Sequence, residues 1–212
     1  MKKRTTMLAL LLATGAGTCL QAQEKLTQFK VRDAITVRTP IMNDSINPKG
    51  EKYADKDLLK TPVVLDLADA PFQVLSTDTA GVLSFPKAEK DHSIYLLETS
   101  LRAERFMTGK LKVTSPARWE IFINGESKMS KENAEDSISG ASTREVNLRL
   151  EPEADYEITI KLLSGSKDKA APTLKCELIK DDKFKDITCF VSPEQKLSLI
   201  HISEPTRLRR IS

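Results

Sequence analysis

Few side chains in this sequence could do chemistry, and their spacing argues against it. His92 is the sole histidine ahead of residue 201, and there is no Cys-x-x-Cys pair, so a transition-metal site lacks its ligands. A Ser-His-Asp triad could borrow His92, but the chain has no Gly-x-Ser-x-Gly elbow, and Ser139 and Gly140 fall in a polar stretch. Beside Asp91, His92 reads as a solvated loop residue. Glu151, Glu153 and Asp155 could serve as general acid and base or bind calcium. They lie between two alternating apolar runs, where a charged turn is expected in any case. Trp119 could be a sugar-stacking platform, yet it shares its parity with Leu111, Val113, Ile121 and Ile123 and so reads as core. No catalytic residue, cofactor-binding residue or metal ligand is assigned on these grounds, and no cofactor is expected.

Two further residue sets carry covalent chemistry. If residues 174–180 and 185–191 pair around Asp182 and Lys183, Cys176 faces Cys189, and a cross-strand disulfide is geometrically open to them. The same register sets Lys180 against Lys185, which disfavours it, and two buried thiols are the alternative. The tripeptides Asp44-Ser45-Ile46, Asp78-Thr79-Ala80 and Asp136-Ser137-Ile138 resemble the short acceptor for O-glycosylation of periplasmic proteins in some Gram-negative bacteria.

The elements that must position these residues are strands. Residues 109–129 hold the strongest signal: Leu111, Val113, Ala117, Trp119, Ile121 and Ile123 share one face of extended chain, with Lys110, Lys112, Arg118 and Glu120 on the other. Asn124 and Gly125 then supply a tight turn. A two-residue hairpin there sets Ile121 against Lys128 and Phe122 against Ser127, so the returning arm reads as an edge that soon becomes loop. Alternation recurs at 27–38, where Asp33 interrupts the apolar face, at Val63, Leu65 and Leu67, and at Tyr95, Leu97, Leu101 and Ala103. It returns at Val146, Leu148 and Leu150 and at Tyr156, Ile158, Ile160 and Leu162. Residues 72–75 and 82–85 read as strand, turn, strand; residues 54–60 as two turns of helix; and 133–136 as a frayed helical turn. Short strands with little helix predict an all-β fold, an antiparallel jelly-roll-like sandwich over 87–192 with a β-rich extension over 23–86.

The two ends read differently from the middle. Lys2, Lys3 and Arg4, the apolar run 7–13 and the small residues that follow predict an export signal over 1–22, cut between Ala22 and Gln23. That run is too short to span a bilayer of roughly 30 Å. A lipoprotein cut before Cys19 is the rival, because Ala16-Gly17-Thr18-Cys19 is a loose lipobox. Residues 197–207, Leu-Ser-Leu-Ile-His-Ile-Ser-Glu-Pro-Thr-Arg, resemble the translated read-through of a transposase adapter from sequencing libraries. Residues 193–212 are therefore expected to be a truncated end with an adapter-derived tail. The formal net charge is +3; Lys2, Lys3 and Arg4 supply three positive charges, and Arg207, Arg209 and Arg210 against Glu204 two more, leaving −2 on residues 23–196. The apparent basicity is thus an effect of the ends and no argument for nucleic acid as a partner.

Residues 95–106, 109–125, 144–150 and 156–162 resemble a jelly-roll accessory module of the galactose-binding-like type, in which a strand ending in Asn-Gly is followed by a loop and two strands joined by a short turn. The PEGA repeat is also similar around Val113-Thr114-Ser115-Pro116 and Ile123-Asn124-Gly125. Val31-Arg32-Asp33-Ala34-Ile35-Thr36-Val37, Leu101-Arg102-Ala103-Glu104-Arg105-Phe106 and Cys176-Glu177-Leu178-Ile179-Lys180-Asp181-Asp182 further resemble the amino-terminal region of exported prolyl oligopeptidases related to dipeptidyl peptidase IV. That resemblance implies a non-catalytic module at the front of a periplasmic or secreted serine peptidase, with the propeller and hydrolase domains of the same polypeptide as its partners. The alternatives are a carbohydrate-binding module holding a glycan in rim loops such as 130–143, and a structural or adhesion domain of the cell envelope.

Overall fold

The computed structural model describes residues 23–37, 46, 50–51, 54–60, 72–89 and 91–193. The export signal expected over 1–22 with Cys19, Asp44 and Ser45 of the first tripeptide, the alternation at Val63 to Leu67, and the tail beyond residue 193 lie outside the described residues. The chain begins with β1 (Gln23–Lys25), β2 (Gln28–Arg32), β3 (Ile35–Val37) and a short helix, α1 (Asp55–Leu59). Strands β4 (Phe72–Ser76), β5 (Val82–Ser84), β6 (His92–Ala103), β7 (Met107–Thr114) and β8 (Arg118–Ile123) follow. The last five are β9 (Glu126–Lys131), β10 (Thr143–Leu150), β11 (Asp155–Gly165), β12 (Thr173–Lys180) and β13 (Cys189–Ser192). No helix among the described residues is long and apolar enough to cross a membrane.

These strands form two antiparallel sheets packed as a sandwich. The five-stranded sheet runs β1-β12-β7-β10, with β5 also on β12; the eight-stranded sheet runs β4-β2-β6-β11-β8-β9, with β3 and β13 also on β6. Period-two alternation sends one side of each sheet inward. Leu111 and Val113 of β7, Cys176 and Leu178 of β12 and Val146 and Leu148 of β10 join one core with Leu97 and Leu101 of β6, Ile158 and Ile160 of β11 and Trp119 and Ile121 of β8. Each such side chain contributes about 1.5–3 kcal/mol by leaving water. Trp119 is 0% exposed, as its parity predicts.

The described strands between residues 23 and 86 are woven into both sheets. β2, β3 and β4 join the eight-stranded sheet, while β1 and β5 join the five-stranded one. The β4 and β5 strands do not pair with each other, because the chain changes sheets at Asp78–Gly81. There Gly81 has φ +84°, and the Val82 N–H donates to Asp78 Oδ1 at 2.8 Å. A second, smaller apolar cluster lies outside the sandwich, where Leu58 and Leu59 of α1 cover Ile94, Leu96 and Leu163. Five residues cannot hold a helix in water unaided. Burial of these leucines and the Asp57 carboxylate accepting the Ala54 N–H at 2.9 Å stabilise it.

The β8–β9 hairpin turns on Asn124 (φ +51°) and Gly125 (φ +76°). Phe122 faces Ser127 as the sequence predicts, but a bulge then sets Ile121 opposite Met129 instead of Lys128. The bulge brings a thioether over the core and turns the lysine away. β9 is an edge strand.

Three expectations are corrected. Residues 133–136 form no helical turn but a loop, tied down where the Glu135 N–H donates to the Pro116 carbonyl at 2.7 Å. The 174–191 hairpin does not form: after β12 the chain makes a 3-10 turn at Asp182–Phe184 and crosses to the other sheet, where β13 pairs with β6. Lys180, which would have faced Lys185, instead donates to the Ile187 carbonyl at 2.7 Å and pairs with Glu24 at 2.8 Å. Cys176 (opposite Val113) and Cys189 (opposite Ala103) therefore sit in different sheets, and both are buried free thiols with no disulfide between them. Burial pushes both thiols up, which keeps them protonated.

Gly109 shows how tightly β7 and β12 approach: an added Cβ would lie 2.5 Å from the Ile179 carbonyl oxygen. Gly109→Ala is expected to destabilise the fold by about 1–3 kcal/mol, because backbone must move. Gly140→Ala, with nothing within 4 Å, should stay within about 0.5 kcal/mol of the parent. Urea midpoints compare the two, and an unshifted midpoint for Gly109→Ala would contradict the pairing.

Candidate functional site

The outer face of the eight-stranded sheet carries two polar regions, one at each end of β6. At the start of β6, His92 Nε2 lies 3.1 Å from Asp55 Oδ1, and Arg118 bridges Asp55 and Asp168. The Asp168 carboxylate also accepts the Gly165 N–H at 2.7 Å. His92 is thus not a solvated loop residue: it opens a strand and joins a network that fastens α1 to β6, β8 and the end of β11. Among the described residues, no hydrogen-bond partner meets His92 Nδ1, and its carboxylate partner is shared with a guanidinium. The network is an anchor.

At the other end of β6, register gathers residues that are distant in sequence. Phe190 of β13 faces Arg102 of β6, and Arg102 faces Asp155 of β11, so the three form one row across the sheet. Beside them is a cleft of about 550 Å³, to which Ser100, Glu104 and Glu153 also contribute. This lies within the range of small-molecule sites. Glu153 holds φ at +62°, a left-handed backbone conformation that non-glycine residues rarely adopt. Phe190 is 56% exposed, whereas Phe106 packs edge-on against Phe184. The cleft thus presents an apolar ring, one guanidinium and three carboxylates. These groups can hold a ligand by apolar contact, hydrogen bonds and charge. A second hollow of about 250 Å³ near Leu75, Phe85 and Tyr95 is smaller than typical ligand pockets.

The residues singled out in the sequence are distributed unevenly over these places. Glu153 and Asp155 reach the cleft, but Glu151 turns to Arg149 at 3.0 Å. Trp119 is sealed inside, its indole N–H without a partner among the described residues. The 130–143 loop does not line the cleft. Phe190, Arg102 and Glu104 escaped the sequence reading, because nothing local reveals that β13 adds to β6. Among the described residues, no group of three or more His, Cys, Asp or Glu side chains is placed to hold a metal ion.

The polar loop is instead anchored by Lys131. Its ammonium, on a side chain only 4% exposed, donates to the Ser115 carbonyl at 2.5 Å and pairs with Glu135 at 3.1 Å. Burial pushes the Lys131 pKa down from 10.5, and Glu135 only partly restores it.

No protein-family profile and no curated protein sequence matches the chain. Among solved structures, the PA14 sugar-binding domain from an RTX adhesin is similar at 13% identity and TM-score 0.44, over 77% of this chain and 95% of that one. A β-glucosidase from Kluyveromyces marxianus in complex with glucose is similar at 11% identity and TM-score 0.42, over 75% of this chain. The match spans 16% of the β-glucosidase's own length. The PA14 domain of an antifreeze protein is similar at 10% identity and TM-score 0.35, over 93% of this chain and 90% of that one. Likeness at these values does not extend to function.

The lowered Lys131 pKa has a measurable sign. The folded state gives up this proton before the unfolded chain does, so between the lowered pKa and 10.5 the unfolded chain binds more protons and stability rises with pH. The stability difference between the parent and Lys131→Met should therefore move in the parent's favour from neutral pH towards about 10. Glu135 is ionised throughout that window and does not obscure it. Denaturant titrations across this range check the sign, and a flat difference would contradict the burial argument.

Proposed function

We propose that this chain is a non-catalytic β-sandwich module that binds a saccharide in the cleft beside Phe190. The observation that carries the reading is the exposed Phe190 ring in one row with Arg102 and Asp155. An aromatic ring left in water on an edge strand does little for folding, and it offers a flat apolar surface to the C–H face of a pyranose. Carboxylates accept hydrogen bonds from sugar hydroxyls, and a guanidinium donates to them. With one cation against three carboxylates, the cleft favours a neutral saccharide over a uronate. The export signal expected over residues 1–22 supports a periplasmic or secreted setting, where glycans are available.

The resemblance to prolyl oligopeptidases supports a second reading, an accessory module at the front of a serine peptidase. Several of the positions it rests on, Leu101, Ala103, Cys176 and Leu178, are core positions of the sandwich. Packing alone accounts for those positions, so this reading ranks behind the cleft.

Calorimetry with the neutral oligosaccharides that score on a glycan array tests the proposal. Phe190→Ala should weaken binding by about tenfold or more, and the melting temperature should hold because the ring is exposed. Absence of neutral-glycan binding, or binding untouched by both Phe190→Ala and Asp155→Asn, would overturn it.

A further inference from the structure

We infer that Thr79 and Ser137 are sites of covalent O-glycosylation, independent of the cleft. Both hydroxyls stand second in the tripeptides Asp78-Thr79-Ala80 and Asp136-Ser137-Ile138, and every residue of both tripeptides is exposed, at connections between strands. Thr79 sits at the tip of the Asp78–Gly81 turn, where the Gly81 N–H donates to the Asp78 carbonyl at 2.9 Å. Lys25 fixes the same turn by donating to the Thr79 carbonyl at 3.1 Å, which leaves the threonine side chain out of the packing. Ser137 Oγ accepts the Ser139 N–H at 3.2 Å. Ser137 Oγ also lies 2.7 Å from Ser139 Oγ, and a glycosidic oxygen can accept in both contacts, with Ser139 as the donor.

The residues that follow the hydroxyls supply a second, independent observation. Among the described residues, five large apolar side chains are exposed: Ile46, Val74, Phe106, Ile138 and Phe190. Two of these five, Ile46 at 38% and Ile138 at 54%, are the third residue of an Asp-Ser-Ile tripeptide. Holding isoleucine in water twice at the same position of the same tripeptide does nothing for the core. At 136–138 it presents an enzyme with a carboxylate, a hydroxyl and an apolar group in fixed order on an accessible loop, and at 78–80 the exposed Ala80 takes the third place.

The reaction needs a glycan activated at its anomeric carbon as a diphosphate ester, together with a transferase. The Thr79 or Ser137 hydroxyl oxygen attacks that carbon and forms the new C–O bond. The bond from the anomeric carbon to the diphosphate oxygen breaks, the diphosphate leaves with its electron pair, and the hydroxyl proton passes to a base of the transferase. No electrons are exchanged with an oxidant.

The test is intact-mass and glycopeptide mass spectrometry on the full chain, expressed with its own leader in the organism that encodes it. Glycan mass is expected on the peptides holding Thr79 and Ser137, and the Thr79→Ala, Ser137→Ala double variant should be lighter by two increments. Ser139, exposed nearby but preceded by Ile138, should remain bare. Bare Thr79 and Ser137 in leader-cleaved protein, equal modification of Ser139, or protein recovered with its leader intact would each overturn the inference. Saccharide binding by Phe190→Ala protein is read separately, so neither result decides the other.

Discussion

The packing of Trp119, Ile121 and the inward residues of β6 and β11 against Leu111, Val113, Cys176 and Leu178 is the constraint that the rest of the structure obeys. An apolar layer of this kind needs two sheets, and each sheet needs its strands in a register that keeps one parity inward. The bulge in β8–β9 is one consequence, since it exchanges a lysine for a methionine over the core. The close approach at Gly109 is another. The buried Lys131 marks where the layer ends, with its ammonium held by a carbonyl and a carboxylate so that its stem can line the core's edge.

The same layer explains why consecutive strands so often part company. β4 and β5, β10 and β11, and β12 and β13 each fall in opposite sheets. A chain that crosses the sandwich at these connections brings remote residues side by side, and the cleft arises in this way. Phe190 arrives on β13, Arg102 on β6 and Asp155 on β11. None of the three is needed by the core, so their side chains are left for other uses. The anchor at the far end of β6 has the opposite character: His92, Asp55, Arg118 and Asp168 satisfy one another and hold α1 over Ile94 and Leu96.

Local signals carried the strands and some of their faces. The parity of residues 109–123 announced β7, β8 and a buried Trp119, and Asn124 with Gly125 announced the turn. Connectivity between sheets was not legible, because a tight turn looks the same whether it closes a hairpin or crosses the core. The Cys176 to Cys189 pairing failed for that reason, and the cleft stayed hidden for the same one. The second apolar cluster did leave a trace: Ile94, Tyr95, Leu96 and Leu97 are apolar without alternation, the mark of a strand covered on both faces. His92 was misread because the carboxylate that fixes it lies on α1, remote in the sequence.

The central claim is that three strands of one sheet build a single saccharide site around Phe190. An amide NMR titration of the full chain with a neutral oligosaccharide tests it most directly, since it reports every strand at once. The account predicts saturable shifts at Arg102, Asp155 and Phe190, with the 132–142 loop and the His92 network unmoved. Shifts confined to that loop, or none at the three cleft residues, would contradict it.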